Sequence, residues 1–369
     1  MIPYSTQLIE KDDIDEVLEV LKSDFLTQGQ KVEEFEDALC RYTGAKYAIT
    51  FNSATSALHG AYFTADFKDG DEVITTPISF VATSNMLLEV GVKPIWCDIK
   101  PDGNIDENQI ENLITPKTKA IVPVHFAGKP VELEKIRIIA KKHNLIVIED
   151  SAHALGSSID EKKIGSFSDM TIFSFHAIKP ITTAEGGAVL TNNDIYASKL
   201  RLFRSHGMLK KLLWNSDMVM LGHNYRLTEM AAALGISQLK KLNKFIEKRE
   251  EIASYYDDRF KDKNLFKTIQ IDENLTTSRH LYPILLSSKL QPHKEAIFKE
   301  LQENNIGVQV HYKPIYKNSF YKEKFGKISI KTAESFYDAE LSIPCHQKMS
   351  IDDTKFIADK LLEILSRYE

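Results

Sequence analysis

The stretch "KAIVPVHFAGKPVELEKIRIIAKKHNLIVIED", Lys119 to Asp150, holds two apolar runs on either side of a helix-length segment. The runs are continuously apolar, as expected of strands buried on both faces. The segment between them, Val131 to Lys142, repeats apolar residues at helical spacing. Strand, helix, strand over this length reads as a parallel pair joined by a crossover helix. The same pattern extends in both directions. "YAITF", "EVITT", "KPIWCDI", "MTIFSF" and "GAVL" are further strand-like runs between Tyr47 and Thr191. Thr55 to Ala65, Ser79 to Val90 and Asp106 to Ile114 read as the helices between them. The expectation is an α/β doubly wound domain.

Two amphipathic helices, Asp12 to Lys22 and Val32 to Tyr42, precede this region, and helices dominate after Asn192. Thr228 to Tyr256 reads as one long helix or two in series. "RHLYPILL", a helix from Pro292 to Asn304, "GVQVHY" and a terminal helix from Asp352 to Tyr368 suggest a smaller α+β domain. The charged "KFIEKREE" places the boundary near Lys244, giving domains 1–243 and 244–369. A chain of 369 residues is long enough for two cores.

A net charge of −5 gives no basic footprint, so nucleic acid is not an expected partner. No apolar stretch is long enough to span a bilayer. The opening "MIPYSTQLIEKDDIDE" lacks the basic-then-apolar order of a signal peptide. Cys40, Cys97 and Cys345 are far apart and form no Cys-x-x-Cys, so neither a disulfide nor a metal framework is expected. These features read together as a cytoplasmic protein.

In open α/β sheets, ligands bind beyond the carboxyl ends of the strands. Asp150 ends one run, with His153 three residues on. An acid there commonly caps the next helix, and a lone histidine is commonly a satisfied buried one. Asn52, Ser53, Ala54 and Thr55 lie between a strand and a helix. They suit a cap, and the same amides suit an anion. Phe80 is core filler by default, or a ring stacked on a planar ligand. No Walker-type loop and no G-x-G-x-x-G follows a strand, which removes the usual support for kinase, ATPase and Rossmann dehydrogenase readings.

In "TIFSFHAIKPITTAEGGAVLT", Thr171 to Thr191, Ser174 ends a strand and Lys179 follows on a loop. Lysine is costly to bury, so it is either a surface turn or a working group. Acid after one strand, serine after the next, then lysine: this is the order a pyridoxal phosphate site needs. The lysine bonds the cofactor aldehyde, the acid keeps the pyridine nitrogen protonated, and hydroxyls with a helix N-terminus hold the phosphate.

The chain resembles the DegT/DnrJ/StrS aminotransferases nearly end to end. The likeness rests on "DFLTQG", "FNSATSALHGA", "GDEVITTPISFVATSN", "PVHFAGKPVE", "VIEDSAHALGS", "SFSDMTIFSFHAIKPITTAEGGAV", "GHNYRLTEMAAALGISQL" and "VQVHYKPIY", in that order. It implies the pyridoxal-phosphate-dependent transferase fold of type I. That fold has a large domain with a mixed, mostly parallel sheet and a smaller α+β C-terminal domain. "SATSALH", "FSFHAIKPITT" and "GHNYRLT" suggest the branch that serves pseudaminic acid biosynthesis.

The resemblance also implies roles. Lys179 would be the Schiff-base lysine and Asp150 the partner of the pyridine nitrogen. His153 would lie near the ring's phenolic oxygen, and Phe80 would stack on the ring. Ser53, Ala54, Thr55 and Ser174 would serve the phosphate end. Asn224 would reach the phosphate of a neighbouring subunit, making the active unit a homodimer. Tyr4, Asp24, Phe25, Leu26, Thr27, Gln309, Val310, His311 and Tyr312 match stretches lining the sugar-nucleotide side. Arg226 matches a site for the amino donor's carboxylate, with a structural ion pair as the competing reading.

Two departures stand out. Many members carry Gln where this chain has His153, and "TAEGG" has Ala184 where the family usually has Gly. The second matters if the backbone there needs positive φ. The implied reaction is ping-pong transfer of the amino group of L-glutamate to the 4-keto carbon of a UDP-linked 6-deoxy amino sugar. Other 4-keto or 3-keto sugar-nucleotide aminotransferases are the nearest alternatives. A 3-dehydratase of the same family would carry histidine in place of Lys179. A non-catalytic binding module could dispense with the lysine, and cofactor-free Schiff-base chemistry would not need Asp150.

Overall fold

The computed structural model describes residues 1–212 and 214–369. All seven apolar runs between Tyr47 and Thr191 are strands of one sheet. They are β1 (Tyr47–Phe51), β2 (Glu72–Thr75), β3 (Lys93–Trp96), β4 (Thr118–Val122), β5 (Ile146–Asp150), β6 (Met170–Ser174) and β7 (Gly187–Thr191). Their spatial order is β1-β7-β6-β5-β4-β2-β3. β7 runs antiparallel to both its neighbours, and the pairs from β6 through β3 are parallel.

Successive strand residues face opposite sides of the sheet. Ile49, Phe51, Ile172 and Val189 pack on one face with Leu58, Ala61 and Tyr62 of α3 (Ala54–Thr64; α1 is Lys11–Leu21, α2 is Gln30–Thr43). Ala48, Phe173, Ala188 and Leu190 pack on the other, with Phe35 and Leu39 of α2. Further along that sequence come α4 (Ala82–Glu89), α5 (Leu133–His143), α6 (Asp194–Phe203) and α7 (Glu229–Phe260). Local chemistry sets the ends. Ser53 caps α3 by accepting from the Ser56 amide, Thr228 caps α7 by accepting from the Ala231 amide, and Gly44 closes α2 in the left-handed region.

α7 is a single helix of 32 residues, so the sequence boundary at Lys244 falls inside a continuous element. Packing nevertheless changes along it. Ala232, Leu239, Leu242 and Ile246 belong to the core under the sheet. Ile252, Ala253, Tyr256 and Phe260 belong to a second core. That core is built on an antiparallel sheet of β8 (Phe266–Thr268), β9 (Tyr282–Leu286) and β10 (Glu340–Ile343). It is covered by α8 (Lys294–Glu303) and the terminal helix, α9 (Ile351–Ser366), which opens with a Ser350–Asp353 capping box.

Two sequence expectations shift in detail. The helix expected over Asp106 to Ile114 ends at Ile110 and tightens into a 3₁₀ turn, Glu111–Leu113. "GVQVHY" contributes only a bridge between Gln309 and Ser342, because the His311 amide donates to the Glu340 side chain and leaves the ladder.

Candidate functional site

A cavity of about 680 Å³ opens where β1, β5 and β6 end and the two cores meet. Lys179, Asp150, His153, Phe80, Ser174, Ser53, Ala54 and Thr55 all line it, as do Tyr4, Gln309, Val310, His311 and Tyr312. Thirteen residues that the sequence distributes over more than 300 positions thus share one wall-to-wall space.

Asp150 is the last residue of β5 and is buried. Alternation sends its neighbour Glu149 to the opposite face, where Glu149 takes hydrogen bonds from His125 and Thr171. Asp150 Oδ2 accepts from Thr83 Oγ1 at 2.7 Å, and Oδ1 from the Ala152 amide at 3.2 Å. Burial pushes its carboxyl up, opposed by those two bonds and by the charge of Lys179. A carboxylate in that balance favours a cationic partner.

Lys179 stands in the loop joining antiparallel β6 and β7, and its amide donates to the His176 carbonyl. Burial lowers its amine to about 8, with Asp150 pulling the other way. The amine lies 3.5 Å from Nε2 of His280. Ser5 Oγ donates to the Ile178 carbonyl at 3.0 Å, tying the N-terminal segment to this loop. The Ile2 carbonyl in turn accepts from the Gly307 amide, which brings Tyr4 against His311 with ring centres 5.3 Å apart.

The loop turns back through Ala184, at φ +67°. The position the sequence marked as a departure does adopt the left-handed backbone that favours glycine. Three residues later Gly187 faces Ser174 across the β6–β7 pair, and Phe51 across the β1–β7 pair. This brings Ser174 and the start of α3 to one end of the cavity. The first amides of α3 have no intrahelical acceptor, and Ser53 and Thr55 add hydroxyls beside them.

Phe80 is 60% exposed, so core filler does not describe it; it meets the Tyr312 ring edge-on. His153 Nε2 pairs with the Tyr312 hydroxyl at 3.2 Å, while its Nδ1 is buried without a partner. The His280 ring sits 4.4 Å from that of His153, and its Nδ1 is likewise unpartnered. Burial drives both imidazoles well below the usual histidine range, followed by the nearby Lys179 charge. His280, Ser79, Thr83 and Glu185 were not singled out in the sequence. Thr83 sits four residues after Ser79, with which it shares a hydrogen bond, a spacing that a helix start makes meaningful only once it is placed.

Six expected residues lie elsewhere. Asp24, Phe25, Leu26 and Thr27 do not line this cavity: the Leu26 carbonyl accepts from the Glu229 amide, which anchors the segment at the start of α7. Asn224 and Arg226 also lie outside it, on either side of Tyr225, whose carbonyl accepts from the Asn52 amide at 2.8 Å. Among the described residues no cluster could hold a metal ion, no disulfide forms, and no helix is long and apolar enough to cross a membrane.

Comparison with known proteins matches residues 7–362 to the model described as the DegT/DnrJ/EryC1/StrS aminotransferase family. A Campylobacter jejuni protein named UDP-4-amino-4,6-dideoxy-N-acetyl-beta-L-altrosamine transaminase is 52% identical, covering 100% of this chain and 98% of its own length. The solved structure of Helicobacter pylori PseC, described as an aminotransferase involved in the biosynthesis of pseudoaminic acid, superposes with a TM-score of 0.98. It is 49% identical and covers 99% of each chain. The Streptococcus pneumoniae protein Spr1654, solved in a PLP form, superposes with a TM-score of 0.94 at 29% identity, over 100% of this chain and 99% of its own.

Proposed function

Because the chain belongs to the DegT/DnrJ/EryC1/StrS aminotransferase family, we propose that it transfers the amino group of L-glutamate to a sugar nucleotide. The acceptor is the C4 keto carbon of a UDP-linked 2-acetamido-2,6-dideoxy-4-hexulose, and pyridoxal phosphate is held in the Lys179 cavity. The product class is the one that pseudaminic acid biosynthesis uses, as the names of the similar proteins suggest. The observation that carries the reading is the meeting of a partly neutral lysine amine, a buried carboxylate and a helix N-terminus on the walls of one cavity.

The residues present fit the cofactor. The buried, unpartnered Nδ1 of His153 is an unmet polar group beside the lysine. The α3 amides with Ser53, Thr55 and Ser174 suit a phosphate, and Phe80 offers a ring face. When bound, pyridoxal phosphate supplies an aldehyde that takes up an amine and a ring that withdraws electrons from the adjacent carbon. Asp150 would keep a proton on the ring nitrogen, its carboxylate favouring the cationic form of that nitrogen. Lys179 Nζ, deprotonated in a usable fraction near pH 8, accepts a proton from carbon and returns it.

The outer residues fit a second copy of the chain. Trp214 is 82% exposed, and Met218, Leu221, Phe25 and Leu26 are also exposed apolar side chains. A homodimer would cover them and set Asn224, Arg226 and the segment Asp24 to Thr27 beside a partner's cavity.

The test is to load the protein with pyridoxal phosphate, record its visible spectrum and add L-glutamate, in wild type and Lys179→Ala. A visible band that bleaches in wild type only, with 2-oxoglutarate released, supports the reading. Absence of any band in loaded wild type overturns it. Adding the UDP-linked 4-keto sugar should restore the band in wild type.

A further inference from the structure

His311 forms part of the cavity wall, and what it presents there is decided behind it. The Gln309–Ser342 bridge fixes the segment against β10, with main-chain bonds of 3.1 and 2.8 Å. Ser342 Oγ then lies 2.9 Å from Nδ1 of His311 and 2.6 Å from Oε1 of Glu340. The other carboxyl oxygen of Glu340 accepts the main-chain N–H of His311 at 2.7 Å. Glu340, Ser342 and His311 are all buried. Nε2 of His311 makes no hydrogen bond among the described residues and is not among the buried unpartnered atoms, so it is the nitrogen that faces the cavity.

A serine hydroxyl has one proton to give. If Glu340 is a carboxylate, that proton goes to Glu340. Ser342 can then only accept from the imidazole, so Nδ1 carries the proton and Nε2 a lone pair. If Glu340 is neutral with its proton on Oε1, the order reverses: Glu340 donates to Ser342, Ser342 donates to Nδ1, and Nε2 carries the proton.

We propose that Glu340 and Ser342 are positioning residues that set whether Nε2 of His311 accepts or donates a hydrogen bond in the cavity. The two states differ by one proton and no other reactant. A proton taken up at Nε2 is matched by passage of the Nδ1 proton to Ser342 Oγ and of the serine proton to Glu340 Oε1. The imidazole ends neutral, and Glu340, which began as a carboxylate, ends neutral with the added proton on Oε1. In the reaction proposed above, and resting on that reading, the atom so controlled faces the sugar side.

The surrounding groups place this switch in a usable range. Burial raises Glu340 to about 8, opposed by Ser342, the His311 amide and the charge of Lys294 from α8, which itself feels Asp338. His311 is pushed down to about 3 by burial and then by Lys179, so it changes tautomer and not charge. Tyr4, Tyr312, His153, His280 and Asp150 are the other titratable groups around it, and burial keeps each of the imidazoles and phenols neutral.

The test needs no cofactor. Apo-protein labelled with ¹⁵N-histidine is compared at about pH 6 and about pH 10, and long-range ¹H–¹⁵N correlations report the His311 tautomer, assigned by loss of its signals in His311→Gln. Wild type should carry the proton on Nε2 at the lower pH and on Nδ1 at the higher. Glu340→Gln should hold the Nε2–H form at both, because its amide oxygen must accept from the His311 N–H and its NH₂ then donates to Ser342. Ser342→Ala should lose the pH dependence. The same His311 tautomer at both pH values in wild type would overturn the proposal, and that arm needs no variant to fold.

Discussion

Gly187 and Ala54 approach backbone to backbone: a Cβ built on Gly187 would stand 2.6 Å from the Ala54 nitrogen and 2.7 Å from its Cα. The glycine is needed for space, since only so can β7 lie against the first turn of α3. Gly187→Ala must push that turn outward, and no flexible side chain can absorb the clash. The expected outcome is a folded protein whose affinity for pyridoxal phosphate, or for inorganic phosphate, falls at least about tenfold, as loss of one or two amide contacts would give. Titration of apo-protein measures it. Unchanged affinity would remove the α3 terminus from the binding site.

The amine of Lys179 sets a pH dependence whose sign can be worked out. Its folded value is lowered to about 8 from 10.5. Between those values the unfolded chain binds the proton that the folded chain has released, so stability rises with pH across that window. Below about 8 the cost of the buried ammonium is present in full. Denaturant midpoints of apo wild type and Lys179→Met should therefore converge as pH rises from about 8 to about 10. A constant difference would mean that the amine is not desolvated.

Ala184 sits at φ +67°, where an L-residue with a Cβ is strained by roughly 1–2 kcal/mol. Ala184→Gly relieves the strain but loosens the unfolded chain by up to about 1 kcal/mol. A net gain of up to about 1 kcal/mol is expected, read as a higher urea midpoint at unchanged slope. A clear loss of stability would show that the methyl group packs usefully in the loop.

Thr83 holds Asp150 by a hydrogen bond to a charged group, worth about 1.5–3 kcal/mol. Thr83→Val keeps the shape and removes that bond, so the Asp150 carboxyl should rise further. Under the proposed function, cofactor affinity should fall roughly tenfold or more, and the loss should shrink as pH rises and the carboxyl ionises again. Equal affinity at all pH values would argue against a role for Asp150 charge.

Much of this was legible in the chain, for a physical reason that also marks the limit. Runs such as "LIVIED" are apolar because β5 is buried on both faces, and burial is written locally. Asp150, Lys179 and Ser174 were visible because each follows such a run, and strand ends converge in this architecture. Thr83, His280, Glu340 and Ser342 carry no such mark. Their meaning comes from a partner 67, 101, 29 or 31 positions away, a relationship that no local pattern encodes. The charged "KFIEKREE" reads as a break, but it lies within an uninterrupted helix that buries Phe245, Ile246 and Arg249, and it falls close to where α7 passes from one core to the other. Asp24 to Thr27 were drawn to the cavity by resemblance alone, and within one chain they are fastened to Glu229.

That uninterrupted helix has a mechanical consequence. At 1.5 Å per residue, α7 is a rod about 48 Å long. One end is embedded in the core beneath Lys179 and the other in the core that holds Ile306 and Val308, just before His311. A sharp hinge at this joint would have to kink the helix, which a flexible linker would not require. The two sides of the cleft are therefore joined by a continuous helix, and any change in their spacing has to bend that rod.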